Sequence, residues 1–145
     1  MSYQILKEYE DNLMLIEDLL GAGITNNIQL DFMGHSLFGN KYLGTFSADN
    51  YPKRLHNGEM FIINNKSSKQ KGEHFLAISK YKNKVYAYDS FNRDVHKLSK
   101  YWRHKSWINA NLQRDQSFNE KNCGSRSLAW LISFSKHHDK IIGII

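Results

Sequence analysis

Apolar residues recur close to helical spacing along the first twenty positions. Ile5, Leu6, Leu13, Leu15, Ile16, Leu19 and Leu20 stand among acids and a lysine, which predicts an amphipathic helix over residues 3–20. Gly21 and Gly23 follow and predict its stop, because glycine takes left-handed backbone conformations without steric cost. Thr25 is the expected N-cap of a second helix over 26–38. Its apolar set is Ile28, Leu30, Phe32, Met33 and Leu37, and Gly39 is its stop. Residues 40–57 read as a connecting loop.

From Met60 onward the pattern changes to short apolar runs. Met60 to Ile63, His74 to Ile78 and Val85 to Tyr88 read as three strands, separated by the Lys/Ser loop 66–72 and a tight Lys-Asn-Lys turn at 82–84. The last two are expected to form a hairpin. Helical spacing returns over 94–104 through Val95, Leu98, Tyr101 and Trp102, and residues 107–113 read as a further strand. The final helix is the clearest: after Asn122-Cys123-Gly124, Leu128, Leu131 and Ile132 sit at i, i+3 and i+4 with Trp130 and Phe134 beside them. Helices flanking a run of strands predict an α+β fold with a mixed sheet, and Cys123 falls at the N-terminus of the C-terminal helix.

Composition narrows the class. At 145 residues the chain suits a single domain over 1–145. With 41% hydrophobic and 23% charged residues it has the make-up of a globular protein. No stretch approaches the roughly 20 apolar residues that span a bilayer, and the charged first 20 residues do not resemble a signal peptide. No membrane partner is expected. Twenty Lys and Arg against fourteen Asp and Glu give +6, which favours a polyanionic partner or substrate without identifying one. Fifteen Lys to five Arg, fourteen Asn and a single proline hint at an AT-rich coding sequence, which suits some viruses. There is one cysteine. It can form no internal disulfide and no Cys-rich zinc framework, so a reducing compartment and no metal are expected.

A thiol at a helix N-terminus meets unpaired backbone N–H groups, which favour thiolate and lower a pKa of about 8.5 in the free side chain. The same donors can bind the oxyanion of a tetrahedral intermediate, and Gly124 leaves substrate an unobstructed approach. The alternative is a buried cysteine that packs as a small apolar residue. A nucleophilic thiol needs an imidazole, and a carboxylate or amide to orient it. Six of seven histidines, His35, His56, His96, His104, His137 and His138, fall in predicted loops or on charged helix faces. His74 instead opens the apolar strand HFLAIS, and Asp89 ends VYAYDSF on the neighbouring strand. A carboxylate in such surroundings needs a partner. The hairpin can bring His74 and Asp89 together, either for catalysis or as a structural polar contact. Gln116, seven residues before Cys123, can donate to an oxyanion; Gln113 competes with it, and either can be a surface amide.

The order His, Asp, Gln, Cys-Gly resembles the adenovirus-type maturation proteases (adenain) and their relatives in virophages and Maverick-type elements. KYLGTFSADNYP at 41–52 looks like the family's Leu-Gly-Thr loop, GEHFLAIS at 72–79 like its Gly-x-His-Trp strand, VYAYDSF at 85–91 like its strand ending in an acid, and the Gln116-to-Cys123 interval like its oxyanion spacing. The likeness covers residues 25–145 and is greatest to a virophage protease of the mavirus kind. It implies a papain-like, adenain-like cysteine protease fold in which Cys123 is the nucleophile, His74 the base, Asp89 the orienting acid and Gln116 the oxyanion donor. It also implies viral capsid precursor proteins as substrates, cut near Gly during particle maturation, and a location in the virion and the host cytoplasm or viral factory.

Several positions depart from the family. Asp89 stands where adenoviral proteins carry Glu. Phe75 replaces the tryptophan that narrows the substrate tunnel, which implies a relaxed glycine preference. Residues 1–24 form an extra N-terminal helix. Adenain is activated by a peptide joined through a disulfide, and with no second cysteine such a cofactor is not expected. The family is also stimulated by DNA. Lys97, Lys100, Arg103 and His104 recur near i, i+3 and i+6 on the predicted helix 94–104, with Lys105 beside them and Tyr101 and Trp102 interleaved. Such a face suits non-specific phosphate binding; it equally suits a solvated lysine face, as does the loop of Lys66, Lys69 and Lys71. Two rival readings stand beside the protease. One is a protease that removes ubiquitin-like modifiers, and the other is a non-catalytic, basic DNA-binding packaging protein with Cys123 and His74 in its core.

Overall fold

A computed structural model describes residues 2–21, 25–69, 74–110 and 121–145. Three helices, α1 (Ser2–Leu20), α2 (Asn27–Phe38) and α3 (Cys123–His137), accompany five strands: β1 (Tyr42–Phe46), β2 (Met60–Asn64), β3 (Phe75–Tyr81), β4 (Lys84–Tyr88) and β5 (Ile108–Asn109). The strands form one sheet in the order β1-β2-β3-β4-β5. Its two outer pairs are parallel and its inner pairs antiparallel. The fold is α+β with a mixed sheet, and Cys123 opens the C-terminal helix.

Both sheet faces are covered, which explains why β2 and β3 read as unbroken apolar runs. Alternate residues divide between two cores. Met60, Ile62, Phe75, Ala77, Tyr86 and Tyr88 pack with the helices, while Phe61, Ile63, Leu76, Ile78 and Ala87 pack with Val95, Trp102 and Trp107 on the other face. On the helical face α3 supplies Leu128, Ala129, Trp130, Leu131 and Phe134, and α1 supplies Ile5, Tyr9, Leu13 and Ile16, a stripe at i, i+4, i+8 and i+11. Tyr9 belongs to that stripe; Leu15 and Leu19, expected within it, are 58% and 63% exposed.

Several expectations are corrected. Asn26, not Thr25, caps α2: its side chain accepts from the Gln29 N–H at 2.9 Å while the Gln29 side chain accepts from the Asn26 N–H at 3.0 Å. Thr25 is buried instead. Of the apolar set predicted for α2, Leu30 and Met33 are buried, but Ile28 and Phe32 are 80% and 72% exposed. The segment read as a loop contains β1, whose parallel pairing with β2 has no local hairpin signal. Finally, 94–104 is not one helix but two 3-10 turns, Val95–Lys97 and Lys100–Trp102. Asp94 and Ser99 side chains cap them separately, and Ser99 is extended, which breaks the helical path. The β3–β4 hairpin, by contrast, turns at Lys82 and Asn83 with φ of 49° and 67°, and β4 begins at Lys84.

Candidate active site

His74 lies immediately before β3, and Asp89 immediately after its hairpin partner β4. The His74 N–H donates to the Asn65 side chain at 3.1 Å and its carbonyl accepts from the Asn65 N–H at 3.0 Å, which extends the β2–β3 pairing by one step and fixes the histidine. Across the hairpin, His74 Nε2 and Asp89 Oδ1 are hydrogen-bonded, with both side chains buried. Phe91 stacks on the imidazole, with centroids 4.9 Å apart and planes at 24°. This leaves the other ring nitrogen, Nδ1, outside the bond to Asp89.

Asp89 is fully buried, which no carboxylate tolerates without compensation. Its Oδ1 also accepts from the Phe91 N–H at 3.3 Å, and Oδ2 accepts from the Arg93 N–H at 3.0 Å and Arg93 Nε at 2.9 Å. Burial pushes the carboxyl up, but the hydrogen bonds and charges of His74 and Arg93 outweigh it and hold the group at about 2. Arg93 and Phe91 were not singled out from the sequence. The signal available was an arginine four residues after the strand-ending acid in DSFNR.

Cys123 is a free, buried thiol at the first position of α3. Its Sγ accepts from the Phe75 N–H at 3.5 Å. Burial pushes the thiol up, but the hydrogen bond and charge of His74, followed by the N–H groups of Phe75 and Gly124, bring it below its ordinary value. Burial likewise pulls His74 down, but hydrogen bonds to Asp89 and Cys123 and their charges raise it above its ordinary value. The two shifts run in opposite directions and have one cause, the pairing of Cys123 with His74, which favours the thiolate and the imidazolium together.

Cys123, His74 and Asp89 are thus brought together. Gln116 and its rival Gln113 lie outside the described residues. Phe75 contributes its backbone N–H to the thiol, and the residue, 8% exposed, packs in the helical core. Gly124 answers a packing need: a Cβ there would lie 2.2 Å from Thr25 Oγ1 and 3.1 Å from both Leu30 methyls. Lys97, Lys100 and Arg103 are exposed and Lys105 is half-buried beside the Tyr51 ring. With the helix replaced by two turns they share no helical face, and Trp102, expected to interleave with them, is fully buried with its Nε1 donating to Ala48 O at 3.2 Å. Lys71 lies outside the described residues.

No family model matches the chain, and no curated protein matches its sequence. Among the described residues, no group of His, Cys, Asp and Glu side chains is placed to hold a metal ion, and no helix is long and apolar enough to cross a membrane. The arrangement is a thiol held below its ordinary pKa, a buried imidazole beside it, and a charged carboxylate that fixes the ring. Chemically it can perform nucleophilic attack on a carbonyl followed by proton delivery to the leaving group.

Proposed function

We propose that the protein is a cysteine endopeptidase with an adenain-like, papain-like fold. The observation that carries this reading is the convergence of a free thiol at the first position of α3 with a buried His74 that is hydrogen-bonded to the buried Asp89. Purely structural packing of a cysteine requires none of it.

In the reaction, Cys123 thiolate attacks a peptide carbonyl, forming the C–S bond while the carbonyl oxygen takes the negative charge. Donors for that oxyanion are the Cys123 N–H, which has no intrahelical partner at the first position of α3, and, by resemblance, Gln116. Collapse of the intermediate breaks the C–N bond, and imidazolium His74 gives its proton to the departing amine. Neutral His74 then takes a proton from water, whose oxygen attacks the thioester. The C–S bond breaks, the acid is released, and thiolate and imidazolium are restored. Asp89, held by Arg93, keeps His74 Nε2 engaged and leaves Nδ1 as the nitrogen that exchanges the proton in this mechanism. The resemblance of the motifs at 41–52, 72–79, 85–91 and 116–123 extends the proposal to virion precursor proteins cut near glycine during particle maturation.

The test is to incubate the protein with a mixture of unstructured polypeptides and read new termini by mass spectrometry. Cleavage by the wild type and none by Cys123→Ala is expected. Equal cleavage by both, or by neither, overturns the proposal.

A further inference from the structure

The loop that leaves β2 and the second 3-10 turn face each other across a cavity of about 430 Å³. Asn65, Lys66 and Ser67 line one side of it, and Ser99, Lys100 and Tyr101 the other. One residue ties the two walls together: the Ala48 N–H donates to Lys66 O at 2.9 Å, and Ala48 O accepts from Trp102 Nε1 at 3.2 Å. The loop is held from both ends. Asn64 Oδ1 accepts from the Lys66 N–H at 2.9 Å, and the Asp49 carboxylate accepts from the Ser68 N–H at 2.7 Å and from Ser68 Oγ at 3.0 Å. The cavity is thus shaped by hydrogen-bonded backbone, and the two lysines are carried on fixed walls.

Its place in the fold connects it to the candidate site. Asn65 pairs with His74 through two hydrogen bonds, so one cavity wall is the direct neighbour of the candidate base. By strand alternation His74 shares its side of the sheet with Leu76 and Ile78, which pack with Trp102, and the wall from Ser99 to Tyr101 belongs to the same covering layer. Asp89 flanks His74 on the other side, that of β4. None of the six lining residues is acidic; their side chains carry two ammonium groups, three hydroxyls and an amide, a set that suits an anion. Lys66 is half-buried, where water and salt screen its charge less than on an open surface. Two cations in one pocket suit a single carboxylate. A nucleic-acid backbone instead gains affinity with each phosphate neutralised along a stripe, and Lys97 and Arg103 do not continue this pocket as one helical face. We propose that the cavity is a specificity pocket for an acidic side chain of the polypeptide substrate, a few residues from the bond that Cys123 attacks. This inference rests on the peptidase reading and adds to it a feature of the substrate.

The experiment digests a mixture of unstructured polypeptides with the full-length chain at low salt and aligns the new termini, read by mass spectrometry, on the cut bond. In wild-type products Asp and Glu are expected to be enriched at one fixed position beside the cut, by about fivefold, the discrimination that one partly exposed ion pair supplies. Lys100 is exposed, so Lys100→Ala removes one cation without disturbing the core, and it is expected to reduce the enrichment. Lys66→Glu/Lys100→Glu is expected to abolish it and to favour Lys or Arg at the same position. Lys84→Glu makes the same kind of charge change at the end of β4 away from Asp89, and is expected to keep the acidic preference.

Wild-type cleavage with no acidic position overturns the inference and leaves the proposed function standing. So does an acidic preference that survives the double charge reversal, even where that variant has lost binding to a duplex oligonucleotide, because the lysines then serve nucleic acid and not substrate. An equal loss of preference in Lys84→Glu overturns it as well. Should the double variant yield no products, Lys100→Ala decides, and an undiminished acidic preference there overturns the inference. No cleavage by the wild type overturns this inference and the proposed function together.

Discussion

Replacing Asp89 by asparagine removes one charge from the most buried part of the site and changes its shape little. Asp89 accepts from His74, Phe91 and Arg93, and the Arg93 side chain is 35% exposed. Removing one partner of a buried ion pair costs about 3–5 kcal/mol. Arg93 can turn partly towards water, which places the expected loss at the lower end, about 3 kcal/mol. The independent route through proton linkage agrees in scale: a carboxyl held at about 2 against an ordinary 3.8 corresponds to about 2 kcal/mol. The same change removes the charge that helps raise His74, so the imidazolium weakens and the thiol titration moves up. Urea unfolding at neutral pH measures the first effect, and alkylation of Cys123 across pH measures the second. Peptidase activity is expected to fall at least about 100-fold, the lower range for a displaced general acid–base group. Asp89→Asn with stability within about 0.5 kcal/mol of wild type and an unmoved thiol titration would refute the reasoning.

Two further outcomes follow from the same geometry. Because Asp89 is depressed in the folded chain, its contribution to stability is complete above about pH 4. That contribution is lost as pH falls through about 2; urea unfolding of wild type against Asp89→Asn between those limits shows whether the slope belongs to this group. Gly124→Ala sets two effects against each other. Helix propensity alone favours alanine by about 1 kcal/mol, whereas the added Cβ would meet Thr25 Oγ1 at 2.2 Å. Net destabilisation of about 1–3 kcal/mol is expected, relieved in part by Thr25→Ala, and a stabilised Gly124→Ala in thermal unfolding would contradict the packing described.

The sequence showed most clearly what local pattern determines. The α3 start at Cys123, the Gly39 stop of α2, and the hairpin that sets His74 against Asp89 depend on spacing and turn chemistry within a few residues. What escaped depends on distant partners. β1 is a strand because β2 offers it a parallel edge, and no feature of YLGTF announces that. Ile28 and Phe32 fit a helical apolar set but lie on the side of α2 that nothing covers among the described residues. Ser99 breaks the expected basic helix by bonding its own neighbour, a choice that residue spacing does not reveal. Within the site, the histidine, acid and thiol were legible because their chemistry is rare. Arg93 was not, because it looks like an ordinary surface charge until Asp89 is seen beside it.

The claim on which everything else stands is that Cys123 and His74 share one proton as thiolate and imidazolium. Alkylation of Cys123 over a pH series, in wild type and His74→Ala, tests it without any assumption about substrate. The account predicts a wild-type midpoint clearly below the roughly 8.5 of a free thiol and a rise when the imidazole is removed. A wild-type midpoint at or above that value, or one that His74→Ala leaves in place, would contradict it.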